Sequence, residues 1–169
     1  MQVYYDILSS PIGYLLLIAQ EFALKKIAFQ PKDKAHKIHP EWIQGSELLE
    51  HTKNELKAYF NGQLKNFTVN VNPNGTPFQK QIWKEVIAIP YGKVCSYQDV
   101  ANKIDHPTAC RAVGRANSQN PIPIIIPCHR VIGKSGKLTG YAGGLDRKQN
   151  LLKLEGIETE TSPNQYKLF

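Results

Sequence analysis

The sequence predicts an α/β protein of the α+β class, in which a small antiparallel sheet with one helix precedes a helical domain. Three short apolar runs occupy positions 2–30, whereas segments with helical periodicity and capping residues dominate positions 76–156. The turn-rich segment NPNG at 72–75 separates the two patterns. We therefore expect an N-terminal α/β domain over residues 1–75 and a C-terminal domain over residues 76–169.

The N-terminal domain is predicted to contain an antiparallel meander followed by a helix. The runs VYYDIL, YLLLIA and LKKIAF indicate strands, because the turn-like segments SSPIG and QEF separate them. After a polar loop at 31–45, leucines and aromatic residues recur at helical spacing over 46–61, and Gly62 ends the pattern. The segment FTVNV at 67–71 predicts one further short strand.

Three helices are predicted at the start of the C-terminal domain. The motif TPFQ at 76–79 is typical of a capped helix start with proline at the first helical position. The motif SYQD at 96–99 predicts a second capped start, for a helix that ends near Ile104. Pro107 and Thr108 can open a third helix about three residues later, which is the spacing of a helix-turn-helix.

The remaining residues predict a β wing and a last helix. The apolar segments IPIIIP at 122–127 and HRVI at 129–132 favour strands, and the glycine-rich GKSGKLTG at 133–140 favours a hairpin. The segment LDRKQNLLKLEG at 145–156 predicts a helix that its final glycine ends. Helices followed by a small wing indicate a winged helix-turn-helix domain over residues 76–169.

Positive charge is concentrated in the second domain. The chain carries a net charge of +7, of which residues 1–75 contribute +1 (8 basic, 7 acidic) and residues 76–169 contribute +6 (13 basic, 7 acidic). Every arginine lies in the second half, and the planar guanidinium suits phosphates and base edges. The charge therefore favours a nucleic-acid partner, and a solvated basic face is the alternative.

Composition and cysteine usage narrow the class further. Hydrophobic residues form 41% and charged residues 21% of the chain, as in ordinary folded proteins. We expect a cytoplasmic protein without membrane contact, because no apolar run approaches roughly 20 residues and MQVYYDILSS lacks signal-peptide features. Cys95, Cys110 and Cys128 are odd in number and lack metal-knuckle spacing, which predicts free thiols.

The predicted third helix combines small side chains with two arginines. Arg111 and Arg115 stand four residues apart on one face, between alanines and Gly114. A glycine inside a helix costs about 1 kcal/mol relative to alanine, so close approach to another surface must offset it. That surface is either a DNA groove, where a thin helix could press in, or a neighbouring helix of the same domain.

Cys128 and His129 follow an apolar run broken by prolines, NPIPIIIPCHRVIG at 120–133. The adjacent imidazole and basic surroundings predict that the thiolate is favoured. Neighbours on an extended strand point to opposite faces, so the pair cooperates only if the chain bends there or a water carries the proton, and we expect a bend. Glu155 would complete a nucleophile–base–carboxylate set, although a surface position is the simpler interpretation of that residue.

The motifs RAVGRAN, NPIPIIIPCHRVIG, GYAGG and LLKLEG occur in this order and resemble the O6-alkylguanine-DNA alkyltransferase family, whose hallmark is a Pro-Cys-His-Arg-Val block. The match runs from about Thr76 to Gly156, and the preceding elements are similar in order to the family's N-terminal, ribonuclease H-like domain. The resemblance implies a repair protein that flips O6-alkylguanine out of double-stranded DNA, with O4-alkylthymine as a second candidate. The alkyl group would pass irreversibly, once per chain, to Cys128 and restore guanine.

The resemblance also implies catalytic roles. Cys128 would be the nucleophile, His129 would draw off its proton through a water, and Glu155 would orient His129. Asn120 would hold the turn that bends the active-site segment. Tyr97 would donate its hydroxyl proton towards guanine N3, so that the base leaves as a neutral species.

Further residues are implied to contact DNA and the flipped base. Arg111 would enter the stack where the flipped nucleotide stood. The helix surface around it comprises Thr108, Ala109, Ala112 and Arg115. The guanine pocket would be lined by Val131, Tyr141, Ala142, Gly143 and Lys148. Ala142 departs from family members with a polar side chain there, which leaves only backbone donation.

No cofactor is implied, and we expect no metal, because His36, His39 and His51 have no cysteine partners in residues 1–75. We expect a monomer, and cooperative binding along DNA stays open. Two rival functions also stay open. An alkyltransferase-like module would bind the lesion without transfer, but such proteins carry another residue, often Trp, in place of Cys128. A thiol hydrolase would need an oxyanion loop that no motif indicates, and it would leave the basic helix unexplained.

Overall fold

The structure is a computed structural model that describes residues 1–31 and 34–159 of the 169. The chain divides into two compact units, Met1–Asn74 and Gly75–Phe169. Residues 160–169 of the expected second domain lie outside the described residues. Within the described residues, no helix has the length and apolar character needed to cross a bilayer.

The N-terminal unit contains a four-stranded sheet in the order β3-β2-β1-β4. The predicted meander is confirmed: β1 (Val3–Ser10), β2 (Gly13–Gln20) and β3 (Ala23–Phe29) pair antiparallel in sequence. The short β4 (Ile43–Gln44) pairs parallel with β1, inside the segment predicted to be a loop. Two residues are too few to show the alternation by which a strand is recognised.

The helix α1 (Glu47–Phe60) packs on this sheet. It begins where the Ser46 hydroxyl accepts a hydrogen bond from the Leu49 amide (3.2 Å), and it buries Leu49, Leu56 and Tyr59 completely. The strand predicted over 67–71 is wrong, since only Val71 bridges Leu24 of β3.

The side chain of Glu55 explains the missing strand. Its carboxylate accepts hydrogen bonds from the Thr68 amide (2.9 and 3.0 Å) and from the Val69 amide (3.2 Å). These amides are therefore unavailable to a neighbouring strand.

The C-terminal unit is built on four helices: α2 (Pro77–Ile87), α3 (Tyr97–Lys103), α4 (Cys110–Ser118) and α5 (Leu145–Leu154). Both predicted capping boxes are confirmed, at Thr76 with Gln79 and at Ser96 with Asp99. The last helix ends as predicted, because Gly156 adopts a left-handed backbone (φ +78°) just after it.

The start of α4 differs from the prediction. The helix begins at Cys110 rather than at Pro107 or Thr108, and no side chain caps its first turn. The connection from α3 is correspondingly longer than three residues. One cause is visible in the turn: the Gln98 side chain donates to the Pro107 carbonyl (2.7 Å), which holds this residue outside the helix.

The predicted wing is also reduced. The run 122–127 is a set of tight turns, with Ile124 at a positive φ of 76°, rather than a strand. Its apolar character reflects burial, because every residue from 122 to 130 is buried. The strand predicted at 129–132 shrinks to β6 (Val131–Ile132), which pairs parallel with β5 (Cys95–Ser96). Over 133–140, one bond from the Gly133 amide to the Lys137 carbonyl (3.1 Å) closes a turn, and the described chain forms no hairpin there.

Candidate active site

The chain bends at Cys128, as cooperation between Cys128 and His129 requires. Residues Cys128–Arg130 form one turn of 3-10 helix, in which the Pro127 carbonyl accepts a hydrogen bond from the Arg130 amide (2.9 Å). Consecutive side chains in such a turn do not alternate between opposite faces as they would on a strand. Residues from several distant segments surround this turn.

Two asparagine side chains hold the turn. Asn120 donates to the Ile126 carbonyl (2.8 Å) and accepts from the Ile122 amide (2.9 Å), so it closes the loop that precedes Cys128. Asn117, in α4, donates through Nδ2 to the Cys128 carbonyl (3.2 Å). The peptide between Cys128 and His129 is therefore attached to α4, and the loop before it is closed on itself.

Glu155 connects His129 to Arg130. The His129 Nε2 lies 2.7 Å from Glu155 Oε1, and the Arg130 guanidinium donates to both carboxylate oxygens at 2.9 Å. The Gly92 amide adds a further bond to Glu155 Oε2 (3.2 Å). Glu155 is 5% exposed, so the expectation of a surface residue is wrong. Its burial is tolerated because the neighbouring charge and donors replace water.

His129 is held as a neutral imidazole. It is fully buried, and this burial lowers its pKa, while Glu155 opposes the shift and the charges of Arg130 and Lys148 add to it. A neutral ring that donates from Nε2 to Glu155 carries a lone pair on Nδ1. This Nδ1 has no hydrogen-bond partner within residues 1–31 and 34–159, so it is available to accept a proton.

Cys128 is a neutral thiol in the free protein. It is 4% exposed, and burial raises its pKa, although Asn120, Lys148 and Tyr141 act in the opposite direction. The sequence-based prediction of a favoured thiolate is therefore wrong for the resting state. Counting nearby basic residues overstated the stabilisation of a thiolate, because Glu155 already pairs with the Arg130 charge.

Tyr97 lies at the first position of α3, behind the Ser96 cap. Its hydroxyl accepts a hydrogen bond from Thr139 Oγ1 (3.2 Å), and the Lys148 ammonium lies 5.9 Å from its ring centroid. Burial raises the pKa of Tyr97, so the phenol keeps its proton near neutral pH. It can therefore serve as a proton donor.

Lys148 is buried inside the unit and joins two backbone segments. Its ammonium donates to the Val131 carbonyl (2.7 Å) and to the Thr139 carbonyl (3.0 Å). Burial lowers its pKa to about 8, against the influence of Cys128. The Val131 carbonyl, expected to wall a pocket, thus has one lone pair occupied by Lys148 and a second that remains.

The loop expected to complete the pocket lies between Lys148 and the 3-10 turn in sequence. Tyr141 is half-buried, and its side chain lowers the pKa of Cys128. Ala142 is exposed, and the Gly143 carbonyl accepts a hydrogen bond from Arg147 (3.1 Å). Of this loop, Tyr141 therefore acts on the thiol, whereas the Ala142 side chain lies at the surface.

The arginines and the glycine of α4 lie on different faces of the helix. Arg111, Ala112 and Arg115 are exposed together, so a small residue does separate two arginines on the outer face. Gly114 points elsewhere: a Cβ built there would lie 3.6 Å from the Tyr97 ring. This is an ordinary van der Waals distance, so packing inside the unit would admit an alanine and does not require the glycine. Of the other expected DNA contacts, Thr108 is exposed and Ala109 is half-buried.

Three residues of this site were missed by the sequence analysis: Arg130, Asn117 and Thr139. Arg130 belongs to the Pro-Cys-His-Arg-Val block, and its place next to His129 in the sequence is the signal that could have identified it. Asn117 and Thr139 carried no signal, since their partners Tyr97 and Cys128 come from other segments of the chain.

Two family models match successive parts of the chain. The model described as 6-O-methylguanine DNA methyltransferase, ribonuclease-like domain, matches residues 3–73. The model described as 6-O-methylguanine DNA methyltransferase, DNA binding domain, matches residues 77–157. Together the two models span most of the sequence.

Curated relatives and solved structures agree with these matches. A methylated-DNA–protein-cysteine methyltransferase of Methanosarcina barkeri is 50% identical over 153 residues, covering 90% of this chain and 97% of the relative. A protein of the same name from Mycobacterium tuberculosis is 44% identical over 154 residues, covering 90% and 92%. The crystal structure of M. tuberculosis OGT in complex with DNA has a TM-score of 0.82 at 43% identity, covering 90% of this chain and 92% of that one. The chain therefore belongs to the methylated-DNA–protein-cysteine methyltransferase family.

Proposed function

We propose that the protein repairs double-stranded DNA by flipping out O6-alkylguanine and moving the alkyl group to its own Cys128. The observation that carries this proposal is the buried Cys128–His129 turn, in which His129 Nε2 contacts Glu155 and His129 Nδ1 can accept a proton. A thiol next to such a base can be ionised when a substrate arrives. The family membership supports the repair role, and the DNA-bound structure of the relative supports duplex DNA as the partner.

The transfer is written as one displacement. The Cys128 S–H proton passes through a bridging water to His129 Nδ1, and the resulting thiolate attacks the alkyl carbon as the bond from that carbon to guanine O6 breaks. The released electron pair stays on the purine, and the Tyr97 hydroxyl gives its proton to N3, so that neutral guanine leaves. The imidazolium can then return a proton to the tyrosinate.

Burial of Cys128 explains why the thiol would lose its proton only when substrate is bound. Because the raised pKa keeps the sulfur protonated, the free protein does not hold a reactive thiolate exposed to other electrophiles. The product is a thioether, in which the carbon–sulfur bond offers no good leaving group. We therefore infer that each chain reacts once and that Cys128 stays alkylated.

The exposed face of α4 is proposed to contact the duplex. Arg111 and Arg115 flank Ala112 there, and Arg111 would fill the space in the stack left by the flipped nucleotide, offsetting part of an unstacking free energy of a few kcal/mol. Phosphate neutralisation by this basic unit predicts that DNA affinity falls steeply with salt. A salt-independent affinity would contradict the proposed face.

The experiment uses duplex DNA with one radiolabelled O6-methylguanine. We expect one methyl group per chain, located on Cys128 by peptide mass spectrometry, and no transfer to Cys128→Ser. The matched control is Cys110→Ser, which alters a half-buried thiol and should transfer normally.

Other results would favour the rival functions. Lesion binding without transfer by the unaltered protein would indicate a recognition module, and repeated turnover on a thioester would indicate a hydrolase. Either result would contradict the proposal.

A further inference from the structure

The Tyr97 hydroxyl receives a hydrogen bond from the loop after β6, where the Thr139 hydroxyl donates to it (3.2 Å). Thr139 is itself held in place, since the Lys148 ammonium donates to its carbonyl (3.0 Å). Asn117, in α4, also lowers the pKa of Tyr97, while its side-chain amide donates to the Cys128 carbonyl (3.2 Å).

The hydrogen-bonding capacity of a phenol limits what its proton can do. A tyrosine oxygen has two acceptor lone pairs and one O–H donor. Thr139 fills one acceptor position, and the Asn117 amide donates to the Cys128 carbonyl. In the described part of the chain, Asn117 Oδ1 has no hydrogen-bond partner, so the Tyr97 proton is not bonded to it. The proton is therefore taken up by neither Thr139 nor Asn117.

We propose that Thr139 is a positioning residue for Tyr97, which fixes its oxygen as an acceptor and leaves its proton to the departing base. The inference rests on the proposed role of Tyr97 in alkyl transfer. Thr139 does not need to touch the substrate. Its hydroxyl remains in place when the proton leaves, so it stabilises the phenolate without reorganisation.

Burial and charged neighbours also act on this phenol. Burial raises the pKa of Tyr97 most strongly, and Cys128 and Cys110 raise it further, whereas the Thr139 hydrogen bond and the Asn117 side chain lower it. The Lys148 ammonium on α5 lies over the ring. Any titration of Tyr97 must therefore be compared at constant ionisation of Lys148, whose pKa is about 8.

The first test measures Tyr97 directly in the free protein. Tyrosine carrying a ¹³Cζ label is titrated by NMR above pH 9, with Tyr97→Phe assigning the signal. Thr139→Val keeps the side-chain shape and removes the donor, so it should raise the pKa of Tyr97 by about 0.5 to 1 unit. Thr139→Ser should restore the original value. An unchanged pKa in Thr139→Val would overturn the inference.

The second test uses non-additivity in single-turnover transfer from duplex O6-methylguanine. Thr139→Val should slow transfer by about 3- to 10-fold, as expected for one lost hydrogen bond. In a Tyr97→Phe background, Thr139→Val should cause no further slowing. Equal slowing with and without the Tyr97 hydroxyl would show a general structural role and refute the inference.

The two tests distinguish the inference from the proposed function. If unaltered protein transfers no alkyl group to Cys128, the proposed function fails, while the NMR titration still decides whether Thr139 sets the pKa of Tyr97. Thr139 is exposed, so Thr139→Val should fold and keep both tests decisive.

Discussion

The buried carboxylates Glu55 and Glu155 lie in different units and differ in their main hydrogen-bond donors. Glu55, in the N-terminal unit, accepts from the amides of Thr68 and Val69 and from the Thr68 hydroxyl. Glu155, in the C-terminal unit, binds the ionisable side chains of His129 and Arg130. Both carboxylates are fully engaged, yet only the second is linked to a nucleophile.

The difference shows how a buried acid becomes functional. Backbone amides have no protonation equilibrium near neutral pH, so the hydrogen bonds of Glu55 fasten a loop to α1, and its ionisable neighbour His51 is half-exposed and 3.6 Å away. An imidazole can change its protonation state, and Glu155 fixes which of its nitrogens carries the proton. The chemical identity of its hydrogen-bond partners, rather than its burial, therefore decides whether a buried carboxylate is linked to catalysis.

The largest expected effect comes from neutralising each carboxylate in turn. Glu155→Gln should slow alkyl transfer roughly 100-fold or more, because His129 loses the partner that stabilises its protonated form. Glu55→Gln should leave the rate within about twofold, since its hydrogen bonds are confined to the N-terminal unit. Single-turnover rates are measured at a temperature where circular dichroism shows both variants folded. Similar losses of rate in the two variants would remove the distinction.

The second effect concerns the charged surfaces of the two units. Arg111→Ala should slow transfer from duplex DNA about 10- to 100-fold, because the flipped state loses a group that fills the stack. Transfer from free O6-benzylguanine should be unchanged. The matched control is Lys26→Ala, which removes an exposed cation from the N-terminal unit and should change neither rate. Equal slowing on both substrates would refute the role of Arg111.

A third prediction concerns stability in the N-terminal unit alone. Thr68→Val removes the hydroxyl that donates to Glu55 and should lower the free energy of unfolding by about 1 to 2 kcal/mol, measured in urea. Alkyl transfer by the folded variant should stay unchanged. A loss of transfer without a loss of stability would mean that the Glu55 cluster has a role in catalysis.

The smallest effect is a pH dependence from the C-terminal unit. Burial lowers the pKa of His129 in the fold, so its contribution to stability is complete above the unfolded pKa of about 6.5. As pH falls below this value towards the lower pKa of the folded state, the unfolded chain binds a proton that the folded chain does not bind. The free energy of unfolding therefore drops by up to about 1.4 kcal/mol per pH unit. Urea unfolding at pH 7 and pH 5.5 should show this drop.

His51, which lies beside Glu55 in the N-terminal unit, provides the control for this pH dependence of stability. His129→Gln should flatten the dependence, whereas His51→Gln, which alters a half-exposed ring beside Glu55, should retain it. An identical slope in His129→Gln would assign the dependence to another group.

Much of the fold was predictable because its signals are local. Capping boxes at Thr76 and Ser96 join residues three apart, and the meander of β1 to β3 follows from short apolar runs separated by turn-like segments. The predicted strands at 67–71 and 122–127 failed for a non-local reason. Glu55 takes the amides of the first, and the second is apolar because it is buried in tight turns.

The amino-acid sequence by itself determined the helix boundaries set by capping, the placement of Cys128 beside His129, and the excess of positive charge in the second unit. The tertiary structure alone decided that Glu155 is buried, that Cys128 rests as a thiol, and that Thr139 meets Tyr97. Local hydrogen bonds depend on neighbours in the chain. Desolvation and charge pairing depend on every group that folding brings near, such as Gly92 and Glu155, which lie 63 residues apart.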